Sequence, residues 1–570
     1  MELDALPDVV HAPRTDAIYN CHSYLTKVPV AAIKPFIAAL SAPGEVVVDM
    51  FAGSGMTGLA ATMLGREAVL SDISALGRHI GRGYLARVDR DALRRAAAVA
   101  LAKARAAFGD LYRSDDVEMV RTIWSFVHAC PSCARELVWF EHLDREGRAP
   151  KACPSCAAPL VRRELARIGE QPVRVVVPGP DGRQLERAVQ AGDRERISCA
   201  AQDPRQARVP SRTIAPDREM FGRCGLGRAG LTETRQFFSA RNALALLELW
   251  QAIADEPDAA IAAKLRFAFT ACLARASRRY QWGPKRPLNA QNQTYYVAPV
   301  HYEWNVFELF ARKVDATLRA DALLGEASTR AEYHLASADA LAHAGDASVD
   351  YVFCDPPFGS NIFYSDMNLF HEAWLGDVTE NEREAVMHTT GPRRAGAAER
   401  YEQLLHGAFA EAFRVLRPGR YMSVVFGNSS GAVWLLAQRA LRAAGFSAPC
   451  HVAILDKGQR SVKGLSSGSE AVVTLDLVVT VRKHASDDAH ALRDDADLDE
   501  LLAAGLRSLD SERARNPSYI YVAVLREAVK RRQSLGALHY GELLRKLRHA
   551  GRGLDPKTGL LDQPLTIASR

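Results

Sequence analysis

Residues 45–58 read EVVVDMFAGSGMTG. The first half is an apolar, β-branched run that ends at Asp49, and the second half is a turn rich in glycine. A helix-like segment, LAATMLG, comes next, and EAVLSD is a second short strand that ends at Asp72. Strand, glycine turn, helix and strand in this order are typical of the beginning of a doubly wound α/β sheet. We therefore predict an α/β fold.

The glycine turn also predicts a ligand site. Gly53 and Gly55 allow the backbone to approach a ligand closely, and the amides of the next helix point at that ligand. An acidic residue at the end of the second strand suits ribose hydroxyl groups, and Asp72 stands there. A dinucleotide-binding protein has the same geometry, and a plain tight turn has the same glycines. The turn alone leaves these alternatives open.

A second motif, Asp355-Pro356-Pro357-Phe358, narrows the function. It directly follows the strand VDYVFC, at the carboxyl end where open α/β sheets bind ligands. The prolines fix the backbone and present rigid carbonyls, so Asp355 and one carbonyl make two acceptors for the two hydrogens of an exocyclic amine. The ring of Phe358 can stack on a base. The alternative is a strand-ending turn with a buried phenylalanine.

Two identical tetrapeptides, Cys130-Pro-Ser-Cys133 and Cys153-Pro-Ser-Cys156, form a third motif. Four thiolates in two such pairs are typical of a tetrahedral, structural zinc site with no open coordination position. We predict one Zn²⁺ bound by these four cysteines, in a zinc ribbon at about residues 128–162. The ribbon either contacts nucleic acid or only braces the region around it.

The α/β pattern stops after Asp72 and resumes at Tyr333. The resumed pattern includes a strand that ends at Asp339 and two strands near 450–455 and 471–482. A structureless loop of the intervening length would be unusual, so we expect the insertion to fold as its own domain. The predicted organisation is a first part of the α/β domain at 1–90, an insertion at 91–330, a second part of the α/β domain at 331–485 and a basic helical tail at 486–570.

One stretch of the insertion suits nucleic acid. Helices are predicted at 233–255, 258–280 and 303–322, whereas 163–230 shows no clear periodicity. Residues 275–296, from the end of the second of these helices onward, combine basic, aromatic and amide side chains. Such side chains contact phosphates, stack on bases and read base edges. The alternative is a loop packed over the ligand site. We expect nucleic-acid contacts from Arg278, Arg279, Trp282, Lys285 and Arg286.

The composition is that of a globular protein, with 48% hydrophobic and 25% charged residues, and no apolar run is long enough for a membrane span. Met1 to Pro13 include Asp4 and Asp8 and lack a basic-then-apolar leader, so we expect a cytoplasmic protein, nucleoid-associated in a prokaryote. The segment 511–570 has more than twice as many Lys and Arg as Asp and Glu. This excess fits a polyanion-binding surface or a solvated helix face.

The chain resembles the amino-methyltransferases of DNA. Residues 51–55, FAGSG, are similar to their cofactor motif, and 355–358, DPPF, to their catalytic motif, with phenylalanine in place of the commoner tyrosine. Residues 22–29 resemble the segment that lines the methionine end of the cofactor, and 361–366 the stretch that helps hold a flipped base. With the cysteine pairs, the chain resembles the adenine-specific DNA methylases that carry a zinc ribbon. The closing region of the family is matched by Lys463, Ser466 and the strand from Asp476.

This resemblance implies a Rossmann-like, S-adenosylmethionine-dependent methyltransferase sheet, split by a large helical and zinc-ribbon insertion and followed by a helical C-terminal tail. It implies S-adenosyl-L-methionine and a structural Zn²⁺ as cofactors, and duplex DNA with a flipped-out base as partner; a restriction or defence-system partner is a further expectation. The implied catalytic residues are Asp355, Pro356, Pro357 and Phe358, and Asn361 and Tyr364 would contact DNA. The implied cofactor-binding residues are Tyr24, Lys27, Asp49, Phe51, Ala52, Gly53, Gly55, Thr57, Asp72, Ile73, Asp339 and Ala340.

The implied reaction is direct methyl transfer. Asp355 and the Pro356 carbonyl would accept the two amine hydrogens of adenine and direct the nitrogen lone pair at the sulfonium methyl group, while the carboxylate stabilises developing positive charge. The base must leave the duplex first. The alternatives are the amine of cytosine, which a serine in place of Asp355 would favour, an RNA base, and a DNA-binding scaffold without activity.

Overall fold

The structure is a computed structural model of the 570-residue chain. It describes residues 3–12, 14–161, 164–285, 294–325, 330–458, 473–484, 492–494, 497–549, 552–555 and 559–565. The strands are β1 (Val9–His11), β2 (Val46–Asp49), β3 (Glu67–Asp72), β4 (Arg113–Ser114), β5 (Val117–Glu118), β6 (Arg121–Ala129), β7 (Glu136–Val138), β8 (Ala166–Pro178), β9 (Gln184–Ala188), β10 (Val300–Trp304), β11 (Ala331–Leu335), β12 (Val349–Cys354), β13 (Leu416–Phe426), β14 (His451–Asp456) and β15 (Asp476–Arg482).

The helices alternate with the strands of the larger, eight-stranded sheet, and the last three helices follow its last strand. None within the described ranges is both long and apolar enough to cross a bilayer. They are α1 (Ala17–Cys21), α2 (Val30–Leu40), α3 (Met56–Met63), α4 (Ala75–Leu85), α5 (Arg90–Phe108), α6 (Ala191–Gln202), α7 (Glu219–Arg223), α8 (Leu226–Ala229), α9 (Ala240–Ala254), α10 (Ala259–Ala276), α11 (Val306–Leu324), α12 (Tyr364–Leu375), α13 (Ala397–Val415), α14 (Gly431–Ala443), α15 (Leu498–Arg507), α16 (Pro517–Lys530) and α17 (Tyr540–His549).

Eight of these strands form the main sheet, in the order β1-β14-β15-β13-β12-β2-β3-β11. Neighbouring strands pair in parallel, except that β15 is antiparallel to both β13 and β14. Parallel strands covered on both faces are nearly continuous apolar runs, and every residue of β12, VDYVFC, is buried. The predicted α/β class is confirmed.

The central strands bring three carboxylates to one edge of the main sheet. β2 pairs in parallel with β3 on one side and with β12 on the other, so the carboxyl ends of all three strands lie at the same edge. Asp49 and Asp72 are the last residues of β2 and β3, and Asp355 directly follows β12. This edge is where a doubly wound sheet binds its ligand.

A second, antiparallel sheet lies between β3 and β11 in the chain, with β10-β6-β8-β9 in order and β7 paired to β6. The predicted helices at 233–255, 258–280 and 303–322 correspond to α9, α10 and α11. The strands β8 and β9 were missed in the stretch 163–230. Their pattern is hidden because β8 contains Gly169, Pro172 and Pro178, and its register against β6 shifts twice.

The region between β3 and β11 shares a hydrophobic core with α12, which follows the DPPF motif. Phe370 of α12 stacks on Phe238 with ring centroids 5.0 Å apart, and Trp374 packs edge-on against Phe269 at 5.2 Å. These side chains belong to one cluster of buried residues. The helix α12 thus adds apolar side chains to the core of the region that was predicted to fold as its own domain.

The C-terminal helices α15, α16 and α17 pack into the core of the main sheet. Tyr521 and Leu525 of α16 are buried in the same cluster as Val424 of β13 and Ile454 of β14. The expected helical character of this region is therefore observed, but its helices cover one side of the main sheet instead of projecting as a tail.

Candidate active site

A cavity opens at the carboxyl edge of the main sheet and encloses about 970 Å³, its mouth included. A volume of this order can hold a ligand the size of a nucleoside. Its walls come from the glycine turn, the segments after β3, β11 and β12, and the start of α12. The predicted site residues that line it are Tyr24, Lys27, Asp49, Phe51, Ala52, Gly53, Thr57, Asp72, Ile73, Asp339, Asp355, Pro357 and Tyr364.

Asp72 holds the glycine turn in place. The backbone amide of Gly53 donates a hydrogen bond of 2.8 Å to its Oδ2, and the amide of Ser74 donates one of 2.8 Å to its Oδ1. Gly53 has φ +46°, in the left-handed region that favours glycine, and a Cβ there would lie 3.0 Å from a ring carbon of Tyr24. A side chain at this position would therefore crowd the cavity wall.

Asp49 fixes the junction between β2 and α3. The hydroxyl of Thr57 donates a hydrogen bond of 2.6 Å to its Oδ2, and the amide of Phe51 donates one of 3.0 Å to its Oδ1. Burial raises the pKa of the Asp49 carboxyl to about 7, against the effect of these hydrogen bonds. Both partners precede or begin α3, so Asp49 sets the shape of the glycine turn.

The carbonyls of the DPPF motif differ in their hydrogen bonding. The Tyr401 hydroxyl donates to the carbonyl of Pro357 at 2.7 Å, and the Asn428 side-chain amide donates to the carbonyl of Phe358 at 3.0 Å. Within the described ranges, no hydrogen bond is made to the carbonyl of Pro356. Pro356 itself is buried and is not among the residues that line the cavity, so its contact with the substrate stays a prediction.

Phe358 does not line the cavity, which differs from the expectation that its ring stacks on a base. Its ring lies 5.1 Å from that of Phe426, and it packs against the core of the main sheet. The hydrogen bond from Asn428 to its carbonyl fixes the backbone of Phe358. The orientation is therefore explained by packing with β13, and the cavity has other aromatic rings.

Burial and two nearby charges act on the carboxyl of Asp355. Burial raises its pKa to about 7, the nearby positive charge of Lys457 lowers it, and the negative charge of Asp476 raises it again. Lys457 and Asp476 are buried and form an ion pair with each other. Sequence analysis did not assign a role to Lys457. The available signal was a pair of opposite charges, one just after β14 and one at the start of β15.

Two tyrosines, and not Phe358, supply aromatic rings to the wall of the cavity. Tyr24 and Tyr364 both line the cavity with ring centroids 6.3 Å apart, and the Tyr364 hydroxyl shares a hydrogen bond of 2.8 Å with the hydroxyl of Thr26. The carboxyl of Glu384, which sequence analysis missed, accepts the backbone amides of Tyr364 at 2.5 Å and Ser365 at 3.2 Å. Burial raises the pKa of Glu384 to about 7. Glu384 therefore positions the start of α12.

Some predicted residues differ from their expected place. Pro356, Gly55 and Ala340 are not among the residues that line the cavity: Pro356 is buried, Gly55 caps α3 with φ +80°, and Ala340 is exposed. Asn361, predicted to contact DNA, is exposed outside the cavity. Gly55 therefore shapes the turn without forming the cavity wall. Asp339 lines the cavity, but from a loop, because β11 ends earlier, at Leu335.

The ammonium group of Lys27 is engaged away from a ligand, although part of this residue lines the cavity. Its Nζ donates to the backbone carbonyls of Tyr19 at 2.5 Å and His22 at 2.7 Å, and it lies 4.5 Å from the centre of the Tyr19 ring. Burial lowers the pKa of Lys27 to about 7. Two carbonyls already bind the ammonium, so the predicted contact of Lys27 with the cofactor stays a prediction that can involve only the rest of the residue.

The four cysteines converge in space. The two pairs have the same local backbone. The backbone amide of Ala134 donates to the backbone carbonyl of Cys130 at 2.9 Å, and the amide of Ala157 donates to the carbonyl of Cys153, also at 2.9 Å. Both alanines have positive φ, 57° and 59°. Four thiol groups in this arrangement are compatible with one tetrahedral Zn²⁺. Their Sγ atoms all lie within 4.8 Å of one another, namely those of Cys130, Cys133, Cys153 and Cys156.

Two of the predicted nucleic-acid contacts are engaged inside the protein. Arg279 is 1% exposed, and its guanidinium lies 5.5 Å from the ring centre of Tyr295 and 5.3 Å from that of Phe370. Arg278 forms an ion pair of 2.8 Å with Glu170. The expectation is wrong for Arg279, because a buried guanidinium cannot reach a phosphate, and Arg278 already has a carboxylate partner.

The other predicted contacts lie away from the active-site cavity. Trp282 is half-buried and Lys285 is exposed, and both line a cleft on the second sheet. Arg286 lies outside the described residues, as do Lys463 and Ser466. The basic stretch therefore contacts two parts of the structure: Trp282 and Lys285 line a cleft on the second sheet, whereas Arg279 packs against Phe370 of α12.

A family model for DNA methylases matches residues 7–77, which include β1, β2, β3 and the glycine turn. No curated protein matches the sequence. A candidate DNA modification methylase of known structure from Thermus thermophilus is similar at 18% identity and a TM-score of 0.17, over 29% of this chain and 56% of that chain. The structure of that protein in complex with S-adenosyl-L-methionine is similar at 18% identity and a TM-score of 0.17, over 29% of this chain and 58% of that chain. The match thus spans a little over half of that protein. The family match supports a DNA methyltransferase.

Proposed function

We propose that this protein is an S-adenosylmethionine-dependent methyltransferase that modifies the exocyclic amine of adenine in DNA. The observation that carries the proposal is a single cavity lined both by the glycine turn with Asp72 and by Asp355. The family match covers the first of these two sets. In this proposal the main sheet is the Rossmann-like sheet of the enzyme, and the chain between β3 and β11 is an insertion in it.

The residues of the cavity fit the cofactor. Gly53 leaves room where a Cβ would meet Tyr24, so the backbone of the turn can approach a ligand. Asp72 uses its two oxygens for backbone amides but still lines the cavity, where a carboxylate can also accept ribose hydroxyl groups. The exposed carboxyl of Asp339 suits the adenine amine of the cofactor. When bound, S-adenosylmethionine supplies a methyl group on a positively charged sulfur.

The protein's own groups prepare the target amine. Asp355 and the carbonyl of Pro356 accept its two hydrogens, which concentrates the lone pair on the side away from them. Positive charge develops on the amine nitrogen as it is methylated, and the carboxylate of Asp355 stabilises that charge. An oxygen of Asp355 then takes the proton that the nitrogen loses, which a carboxyl with a pKa of about 7 can do near neutral pH.

The choice of adenine rests on the acidic residue of the motif. A serine at this position would favour cytosine, whereas the carboxylate of Asp355 is present. Tyr24 and Tyr364 give the cavity the flat apolar surface that a flipped purine needs. A base inside a duplex cannot reach a cavity of this kind, so the substrate is expected to present it flipped out.

The four-cysteine cluster is assigned a structural Zn²⁺. All four ligands are thiol groups, and such a set leaves no coordination position for a substrate. Cys130 and Cys153 are buried, whereas Cys133 and Cys156 are exposed, so the ion would lie near the surface of the second-sheet region.

One experiment tests the reaction and the substrate together. The full chain is incubated with methyl-labelled cofactor and, separately, duplex DNA, single-stranded DNA or tRNA, and the labelled nucleoside is identified after digestion. The expected product is N6-methyladenine from duplex DNA, absent with Asp355→Ala. Label in cytosine or only in tRNA would overturn the stated substrate, and no transfer to any of the three would overturn the proposed activity.

A further inference from the structure

We propose that a cleft on the second sheet binds an unpaired nucleotide of a DNA strand. The cleft, called here the sheet cleft, is lined by Arg121, Phe140, Arg145, Trp282, Lys285 and Tyr302 among others. It encloses about 990 Å³, its open mouth included, and it shares no residue with the active-site cavity. The choice of DNA as the polymer rests on the proposed function, whereas the recognition chemistry rests on the cleft alone.

Aromatic side chains form the sheet cleft. The rings of Phe140 and Trp282 lie 5.2 Å apart and nearly perpendicular, at 77°, so one packs its edge against the other. Trp282 is only half-buried, and its backbone amide donates to Val300 of β10 at 3.1 Å, which fixes the residue to the sheet. Tyr302 of β10 is buried and forms the floor of the cleft under Arg121, so the rings open to a ligand are those of Phe140 and Trp282. Half-exposed rings on a rigid sheet are suited to stacking on a base.

The charge of the sheet cleft is positive after internal pairing is taken into account. Its two carboxylates are already engaged: Asp144 pairs with Arg148 at 2.7 Å, and Glu186 lies 3.8 Å from Arg174. Three cations of the cleft form no ion pair within the part of the chain that the structure describes. They are Arg121 on β6, Arg145 in the segment between the cysteine pairs, and Lys285, which follows the tryptophan.

Arg121 is the most constrained of these cations. Its guanidinium lies 4.7 Å from the ring centre of Trp304 and 5.3 Å from that of Tyr302. Its Nε is buried and has no hydrogen-bond partner among the described residues. Because the two rings hold the guanidinium in place, its terminal nitrogens are fixed donors for an acceptor on a ligand in the cleft. A nucleobase carbonyl or a phosphate oxygen is such an acceptor.

The combination of rings and cations indicates a nucleotide. A base offers a flat face for the rings and acceptors for Arg121, and its phosphate offers oxygens for Arg145 and Lys285. The nucleotide must be unpaired, because both faces of a base inside a duplex are covered by its neighbours. Such nucleotides occur where a strand is single or a base has been displaced.

The cysteine cluster braces one wall of the sheet cleft. Phe140 and Arg145 lie in the segment between Cys133 and Cys153, whose Sγ atoms belong to the same four-cysteine group. A metal ion that ties the two ends of this segment together would restrict its freedom. The proposal therefore gives the ribbon an indirect part in binding: it positions an aromatic ring and a cation without touching the strand.

A DNA strand without adenine isolates this cleft from the target-base site. Binding of a fluorescent oligothymidylate to the full chain is measured by anisotropy at several salt concentrations. Trp282→Ala is expected to weaken binding by about 5- to 150-fold, the range for loss of one stacked base, whereas Trp282→Phe retains most of the affinity. Arg145→Ala with Lys285→Ala is expected to flatten the log–log salt dependence by about 0.7 for each phosphate that is no longer neutralised.

Controls separate binding from folding and from catalysis. Arg94→Ala with Arg95→Ala removes two exposed positive charges from α5, far along the chain from the cleft, and should leave the salt dependence unchanged. Melting temperature and cofactor affinity are measured on each variant. If the cleft variants bind oligothymidylate like the parent, the proposal is wrong even where duplex DNA is methylated. If the cleft variants lose oligothymidylate binding while the parent methylates no DNA, the nucleotide-binding role of the cleft is supported and the proposed reaction is wrong.

Discussion

The backbone amide of Gly53 donates a 2.8 Å hydrogen bond to Oδ2 of Asp72, which links the glycine turn after β2 to the end of β3. The other oxygen of Asp72 accepts the amide of Ser74 at 2.8 Å. This carboxylate therefore has two tasks, since it fixes the glycine turn and also lines the cavity. Its removal should affect both ligand affinity and local structure, and the two effects can be measured separately.

Asp72→Ala is expected to raise the Kd for S-adenosylmethionine by about 10- to 150-fold, which corresponds to about 1.5–3 kcal/mol for hydrogen bonds to a charged group. It should also lower the melting temperature, because the Gly53 and Ser74 amides lose their acceptors. Calorimetric titration and a melting curve measure the two effects. Glu67→Ala, at the other end of β3, is the control and should leave the Kd unchanged. A lower melting temperature with an unchanged Kd would assign Asp72 to the turn alone.

The rate of methyl transfer should rise with pH through about 7, the raised pKa of Asp355. Below that pH the carboxyl is protonated and cannot accept an amine hydrogen, so the rate should fall by about tenfold per pH unit; above it the rate should level off. Single-turnover rates on both sides of neutrality measure this. Asp355→Ala should abolish transfer at every pH and bind cofactor like the parent. A parent rate independent of pH in this range would contradict the role of the Asp355 carboxylate.

Lys457 should set the midpoint of that pH profile. Its positive charge lowers the pKa of Asp355, so Lys457→Met should move the midpoint to higher pH, and Lys457→Arg should leave it near the parent value. Loss of the ion pair with Asp476 will also destabilise the fold, so rates are compared below the melting temperature of each variant. A purely structural Lys457 predicts a lower melting temperature with no movement of the midpoint.

The protein should contain one zinc per chain, and Cys130→Ser should remove it and lower the melting temperature, because metal binding and local folding are coupled in such sites. Elemental analysis of protein purified without chelator measures the stoichiometry. Cys199→Ser is the matched control: Cys199 is exposed on α6 and outside the four-cysteine group, so zinc should be retained. Parent protein without zinc would reject the assignment.

Much of the cavity could be predicted because its residues lie in short segments next to strand ends. The stretches 45–58 and 349–358 each contain a strand and the turn that follows it, so local pattern and function coincide there. Glu384 and Lys457 could not be predicted in the same way. Each reaches the site from a distant part of the chain, and neither belongs to a motif.

The contacts of the basic stretch could not be predicted from the sequence around it. Arg278 and Arg279 are adjacent, and the sequence around them contains only cations and neutral residues, which favours a free surface. Their partners come from elsewhere: Glu170 lies on β8, in a stretch without visible periodicity, and Phe370 on α12. A charge pattern along the chain cannot reveal pairing that the fold creates across it.

The grip on duplex DNA should therefore not depend on these two arginines. Arg279→Ala should lower the melting temperature, because it removes a side chain packed between Tyr295 and Phe370, and leave the salt dependence of DNA binding unchanged. Arg278→Ala should behave likewise through loss of its pair with Glu170. A binding titration at several salt concentrations, run beside a melting curve, measures both quantities. If the log–log slope for Arg278→Ala were shallower by about 0.9, the guanidinium would be shown to leave Glu170 for a phosphate, and its assignment as an internal ion pair would fall.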